Sequence, residues 1–333
     1  MTENQQHWYI IGAGAIGCLW AYALKQSGCN VTMIVRDTTP KSIKTPHSMS
    51  QRLSLTSDNK HFNHVHVNTL TAREIIAHKT IIKHCIIATK AYDANSALEA
   101  ITPALSTSAT VLSLCNGMGM HKAMQQQLQS HSKHIQFLLG VTSDGALLQQ
   151  AFQLTHTGVG HTFIGRYLLQ ENSLQENPLQ EHSEQEHHQQ TNRLLPPNFY
   201  LQHSIVNNIH VALWQKMLIN CVINPLTLIY QCKNGELFNK NHHAEIQALC
   251  DELSGIANTP SITHGEYSIS AAMLFEAAKK VAAQTAHNTS SMLKDAQLGR
   301  PLELEYINGY LVKLAQDNGI ACPINEQLLS KLS

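Results

Sequence analysis

The sequence predicts an α/β domain followed by an all-α domain, and three observations carry that expectation. Strand-like apolar runs alternate with helical stretches over roughly the first 200 residues, which implies a parallel sheet. A glycine turn, Gly12-Ala-Gly-Ala-Ile-Gly17, separates the first strand from the first helix. From Asn207 onward the pattern is helical with few strand signals. The expected boundaries are 1–203 for the α/β domain, with a low-complexity insertion at about 170–193, and 204–333 for the helical domain.

The elements follow in chain order. Trp8 to Ile11 is a short apolar run of β character. Cys18 to Gln26 reads as a helix ended by Ser27-Gly28, and Asn30 to Val35 as a second strand. Strand, glycine turn, helix and strand within about thirty residues form the first unit of a Rossmann-type dinucleotide-binding sheet. Further strands are expected at His84–Thr89, Thr110–Leu114 and Gln136–Gly140, with helices at Ala94–Ile101 and His121–Gln129 between them. Ser54–Thr56 and Val65–Asn68 pattern as a hairpin across residues 57–60. Phe152–His156 and His161–Ile164 pattern as another around Gly158-Val-Gly160.

Between Gln170 and Gln190 the pair Gln-Glu recurs at 170, 175, 180 and 185. A period of five suits neither helix nor strand, so a surface insertion without a packed core is expected. After Pro196-Pro197 a short strand at Phe199–Gln202 is expected to close the first domain. Helices are then expected at 208–223, 242–257, 268–285, 288–296 and 302–318.

Composition narrows the function classes. A chain of 333 residues suggests two domains, and its formal net charge is zero with 14% charged residues. Nothing here favours nucleic acid or a membrane surface, and a small neutral or anionic metabolite is the more natural partner. The eight cysteines form no C-x-x-C pair, and the 21 histidines show no H-E-x-x-H spacing. No metal is expected, and the reducing cytosol is the expected compartment. Met1 to His7 is polar and lacks the features of a signal peptide. Val211 to Tyr230 is greasy, yet Lys216, two asparagines and Pro225 within it argue against a membrane span.

That same stretch holds the most informative pattern. Lys216, Asn220 and Asn224 recur every four residues and so share one helix face. Lysine is rarely buried unpaired, and buried amides need partners. A small polar substrate facing this stripe, with Lys216 as proton donor, accounts for it.

In the glycine turn, Gly12, Ala13, Gly14, Ala15, Ile16 and Gly17 are placed to cradle a pyrophosphate at a helix N-terminus. Arg36 ends the second strand and suits the 2′-phosphate of NADP, whereas the adjacent Asp37 could hold the ribose hydroxyl of NAD. NADP is the favoured cofactor. Lys90 and Asn116 each follow a strand, where ligands of open parallel sheets sit, and Asn116 could also reach substrate. Glu303 falls just after Pro301 in what reads as the first turn of a helix. It serves there either as compensation for the helix dipole or as an acceptor for substrate hydroxyls.

Taken together, the glycine turn, Asn116-Gly-Met-Gly119, Leu213-Trp-Gln-Lys216 through Asn-Pro-Leu226, Asn234-Gly-Glu-Leu237, Ser291-Met-Leu-Lys-Asp295 and Glu303 through Asn308-Gly309 resemble the ketopantoate reductases. These belong to the wider 6-phosphogluconate-dehydrogenase-like group. The resemblance runs from about Tyr9 to Leu328 and implies NADPH-dependent reduction of 2-dehydropantoate to (R)-pantoate. It places the proton donor on Lys216 and a carboxylate near substrate and cofactor on Glu303. Substrate-binding groups fall on Asn220, Asn224, Asn234 and Ser291, and cofactor contacts on Arg36, Lys90, Asn116 and Ala146. Leu302 stands where the family commonly has threonine, and Ser143-Asp-Gly145 matches poorly. A related reductase of another 2-keto or hydroxy acid and a non-catalytic NADP-binding regulator are the competing readings. A homodimer is left open.

Overall fold

The computed structural model describes residues 6–37, 49–56, 62–167 and 194–332. The expected turn at 57–60 and the Gln-Glu insertion lie outside the described residues. The chain divides into two compact units. One comprises Met1–Cys115 with Met120–Ile209, and the other Asn116–Gly119 with His210–Ser333.

The first unit is built on one eleven-stranded sheet. Its strands are β1 (His7–Ile11), β2 (Asn30–Val35), β3 (Met49–Thr56), β4 (Phe62–Thr71), β5 (Ile82–Ile87), β6 (Leu105–Ser113), β7 (Gln136–Thr142), β8 (Gly145–Gln150), β9 (Gln153–Gly158), β10 (Thr162–Arg166) and β11 (His203–Ile205). Their order is β11-β10-β7-β6-β5-β1-β2-β4-β3-β9-β8. The strands from β7 through β6, β5, β1 and β2 to β4 are mutually parallel. Covering on both faces explains why the second halves of β1 and β5 are apolar runs rather than alternating ones: Ile10, Cys85, Ile86 and Ile87 are all fully buried. The sheet closes over the helix Ala15–Gln26, which touches β1, β2, β4, β3, β9 and β8. Every residue from Gly17 to Leu24 is therefore buried, as a helix apolar on all sides requires.

The expected β3–β4 hairpin is present and antiparallel, and longer than its sequence pattern suggested. The second expected hairpin is not. β9 and β10 both form, but β9 pairs with β8 and β3 while β10 pairs with β7 and β11, near opposite ends of the sheet. Gly160 permits the crossing between them, its Cα lying so close to the backbone of Ser143 and Asp144 that a Cβ would meet it at 2.3 Å. The Gly158–Gly160 segment thus crosses beneath the β7–β8 corner instead of turning back on itself. The last strand is His203–Ile205, just beyond the expected Phe199–Gln202.

The second unit is helical: Ile209–Tyr230, Asn234–Leu237, His243–Ala257, Pro260–Thr263, Ala271–Gln284, Ser291–Gln297, Asn308–Asp317 and Pro323–Leu332. The first helix does not stop before Pro225 but runs through it for 22 residues. The expected helix at 302–318 is broken. A single 3-10 turn covers Leu304–Tyr306, and the α-helix begins only at Asn308. The Tyr306 carbonyl accepts the Met118 N–H at 2.8 Å, a partner from outside the helix, and Ile307 adopts φ −115°, ψ −103°. Glu303 accordingly precedes the 3-10 turn instead of occupying the first turn of an α-helix. Among the described residues, no helix is long and apolar enough to cross a membrane.

Candidate functional site

In the first unit, the glycine turn is shaped for close approach. Gly12 has φ +104°, and a Cβ there would lie 2.6 Å from the Ala88 carbonyl oxygen. Only glycine permits that turn beside β5. Gly14 is the N-cap of the Ala15–Gln26 helix, with no side-chain capping bond and, its chain neighbours aside, no heavy atom within 4 Å of where its Cβ would be. A twelve-residue helix thus opens with uncapped N–H groups and free space above the backbone, as an anion such as a pyrophosphate requires. Ala13, Ala15 and Ile16 pack against the core beneath.

Arg36 follows β2 with its side chain 81% exposed, and its guanidinium pairs with Asp93 in the first turn of the helix Ala91–Ile101. Lys90 is the half-buried N-cap residue of that helix. Ala146 lies on β8 opposite His156, half-buried against the same core as the glycine turn. Nearby stands a buried cluster with no warning in the sequence beyond the poorly matching Ser143-Asp-Gly145. Asp144 accepts from His156 Nε2 (3.1 Å), the Gly160 N–H (2.9 Å) and Thr142 Oγ1 (3.0 Å). Burial pushes its carboxyl upward, but those three donors outweigh it and hold the pKa below the ordinary value.

In the second unit, the long helix carries the polar face. Lys216 is half-buried, and Asn220 Nδ2 donates to Asn116 Oδ1 at 3.0 Å. Asn116, which follows β6 in sequence, thus lies on the Lys216 helix through this bond. Desolvation lowers the Lys216 pKa, and the negative charge of Glu303 acts in the opposite direction. Glu303 is itself 6% exposed. A lysine and a glutamate 87 positions apart in sequence are therefore electrostatic neighbours, which no local spacing could reveal.

Two asparagines hold unmet groups. Asn224 is buried, and its Nδ2 has no hydrogen-bond partner. Asn234 donates from Nδ2 to Thr285 Oγ1 at 2.9 Å, leaving its buried Oδ1 unmet. A donor and an acceptor left open in this way suit the oxygen atoms and hydroxyl of a small polar ligand. Ser291 begins its helix and is exposed, whereas the preceding Ser290 is buried as the N-cap and also accepts from Thr227 Oγ1 at 2.7 Å.

Matches to known proteins bear on the chain's family and fold. The family Ketopantoate reductase PanE/ApbA matches residues 8–168, and Ketopantoate reductase PanE/ApbA C terminal matches residues 208–333. A 2-dehydropantoate 2-reductase of Vibrio cholerae is 29% identical over 326 residues, covering 97% of this chain and 95% of its own. One from Escherichia coli O157:H7 is 30% identical over 327 residues, covering 96% and 91%. Among solved structures, the ternary structure of D-mandelate dehydrogenase with NADH and anilino(oxo)acetate superposes with a TM-score of 0.77 at 20% identity, covering 97% and 96%. The fold, an α/β unit followed by a helical unit, and the two matched regions lead to one conclusion: the chain belongs to the ketopantoate reductase family.

Proposed function

We propose that this chain reduces 2-dehydropantoate to (R)-pantoate with NADPH, a step of pantothenate and coenzyme A biosynthesis, and that Lys216 donates the proton. The observation that carries the reading is the desolvated Lys216 coupled to Glu303 on a face shared with Asn220 and Asn224. The uncapped helix N-terminus above Gly14 fits the cofactor's pyrophosphate. Gly12 through Gly17, Arg36, Lys90, Asn116, Ala146 and Glu303 would hold the cofactor, which when bound supplies the hydride.

Lys216 then stabilises the charge that develops on the C2 carbonyl oxygen and gives that oxygen its proton. Lowering the lysine pKa makes the proton easier to release near neutral pH, and such general-acid help contributes about 10²–10⁴-fold. Asn220, Asn224, Asn234 and Ser291 orient the substrate carboxylate and hydroxyl, and Glu303 accepts from the hydroxyl. Arg36 meets the 2′-phosphate, its exposed guanidinium at the end of β2 giving up or sharing its pairing with Asp93 to do so.

NADPH oxidation by the purified protein with 2-dehydropantoate, beside a panel of other 2-keto acids, tests the substrate. A preference for a different keto acid would favour the second reading, a related reductase, for which the likeness to D-mandelate dehydrogenase speaks. Replacing NADPH by NADH tests Arg36, and equal use of both would refute its assignment.

A further inference from the structure

We infer that Asn308 is a positioning residue for this reaction, holding the Glu303 segment against the Lys216 helix by supplying the hydrogen bond that Pro225 removes. The inference rests on the roles proposed above for Lys216 and Glu303.

In an α-helix the N–H of each residue donates to the carbonyl four positions earlier. Pro225 has no N–H, so the Cys221 carbonyl loses its helical partner. Cys221 is fully buried, and water cannot make good the loss. Asn308 Nδ2, also fully buried, donates to that carbonyl at 3.1 Å. Its other hydrogen goes to Asn325 Oδ1 at 2.8 Å. Asn325 in turn is oriented by Glu252, which accepts from Asn325 Nδ2, the Asn325 N–H and the Ile324 N–H, each at 2.8 Å. Asn325 can therefore present only its oxygen to Asn308, and the Asn308 amide has one allowed orientation. Asn308 Oδ1 has no partner, so the position is used for its nitrogen.

The contact closes a ring through the candidate site. Asn220 donates to Asn116 at 3.0 Å, and the Met118 N–H donates to the Tyr306 carbonyl at 2.8 Å. Asn308, two residues on, returns to Cys221, the neighbour of Asn220. Lys216 sits on one arc of this ring, and Glu303 lies three residues before the Tyr306 link. Opening the ring at Asn308 frees the Glu303 arc from the helix without touching any group assigned to substrate.

The test is a kinetic cycle of Asn308→Leu, Pro225→Ala and the double variant with NADPH and 2-dehydropantoate, run where all are folded. Pro225→Ala restores a backbone N–H aimed at the Cys221 carbonyl. The expected result is a kcat loss on the order of 10–10² in Asn308→Leu, the scale of a small misplacement of reacting groups, with KM little changed. Pro225→Ala alone should be nearly neutral, and in the double variant most of the lost kcat should return. An unchanged kcat in Asn308→Leu, a change in KM alone, or a double variant as slow as the single would overturn the inference. Should Asn308→Leu fail to fold, Asn325→Ala, which removes only the acceptor that aims the amide, carries the same expectation at smaller size. A wild-type protein inactive on 2-dehydropantoate would sink the proposed reaction instead. The same cycle read by thermal melting would then decide the Asn308 link, with rescue by Pro225→Ala supporting it and absence of rescue overturning it.

Discussion

Asn224 is the residue where stability and activity should part company. It is 4% exposed, and its Nδ2 has no acceptor. Leaving a buried amide unmet costs about 1–3 kcal/mol, while an apolar group of similar shape carries no such cost. Asn224→Leu keeps the branching and approximate volume and removes the stranded donor. The protein should therefore become more stable by about 1 kcal/mol, which for a domain of this size raises Tm by about 4 °C. If the donor is kept for a substrate oxygen, a hydrogen bond to a charged group worth about 1.5–3 kcal/mol is lost on binding. That corresponds to a fall in kcat/KM of about 10–10². Differential scanning fluorimetry and steady-state NADPH oxidation measure the two sides. A lower Tm combined with unchanged kcat/KM would refute the reasoning, because Asn224 would then be an ordinary core amide.

Three further outcomes follow from the same geometry. A proton donor must be charged, so kcat should fall as pH rises through the Lys216 pKa, which desolvation sets below the ordinary lysine value. Glu303 opposes that shift, so Glu303→Gln should move the falling limb to still lower pH; a limb that stays in place or moves up would contradict the coupling. Asp144 has a folded pKa below its unfolded one, so the stability it contributes is present above the unfolded value near 3.9 and lost as pH falls through the folded value. Asp144→Asn should flatten the acid side of a Tm-versus-pH curve, and an unaltered acid limb would remove Asp144 from the account. Gly17→Ala would put a Cβ 2.0 Å from the Gly12 carbonyl oxygen, a backbone clash with no side chain to yield. Circular dichroism should show a Tm loss of several degrees, and a melting curve like that of the wild type would count against the tight turn.

Much of the first unit was legible because its signals are local. The run Asn30–Val35 predicted β2 to the residue, and the glycine turn announced the helix after it. The short helix Ala72–Ala77 has a local signal too: Thr71 and Glu74 form a capping box, with the Glu74 N–H donating to Thr71 Oγ1 at 3.2 Å and the Thr71 N–H to Glu74 Oε2 at 2.7 Å. What stayed hidden was set by partners distant in sequence. Pairing of β9 with β8 and β3, and of β10 with β7, depends on the whole sheet rather than on the glycines between them. The break at Ile307 depends on Met118 taking the Tyr306 carbonyl. The helix expected at 208–223 runs on through Pro225 to Tyr230, and the bond that the proline removes is replaced by Asn308, 83 positions on. In the candidate site, the spacing of Lys216, Asn220 and Asn224 exposed the helix face, but Asn116 and Glu303 joined it only in three dimensions.

The most direct measurement is the rate of NADPH consumption with 2-dehydropantoate by the wild-type protein and by Lys216→Ala. If Lys216 delivers the proton to the carbonyl oxygen, the variant should lose about 10²–10⁴ in kcat while remaining folded. A folded Lys216→Ala protein with nearly wild-type kcat would contradict the account.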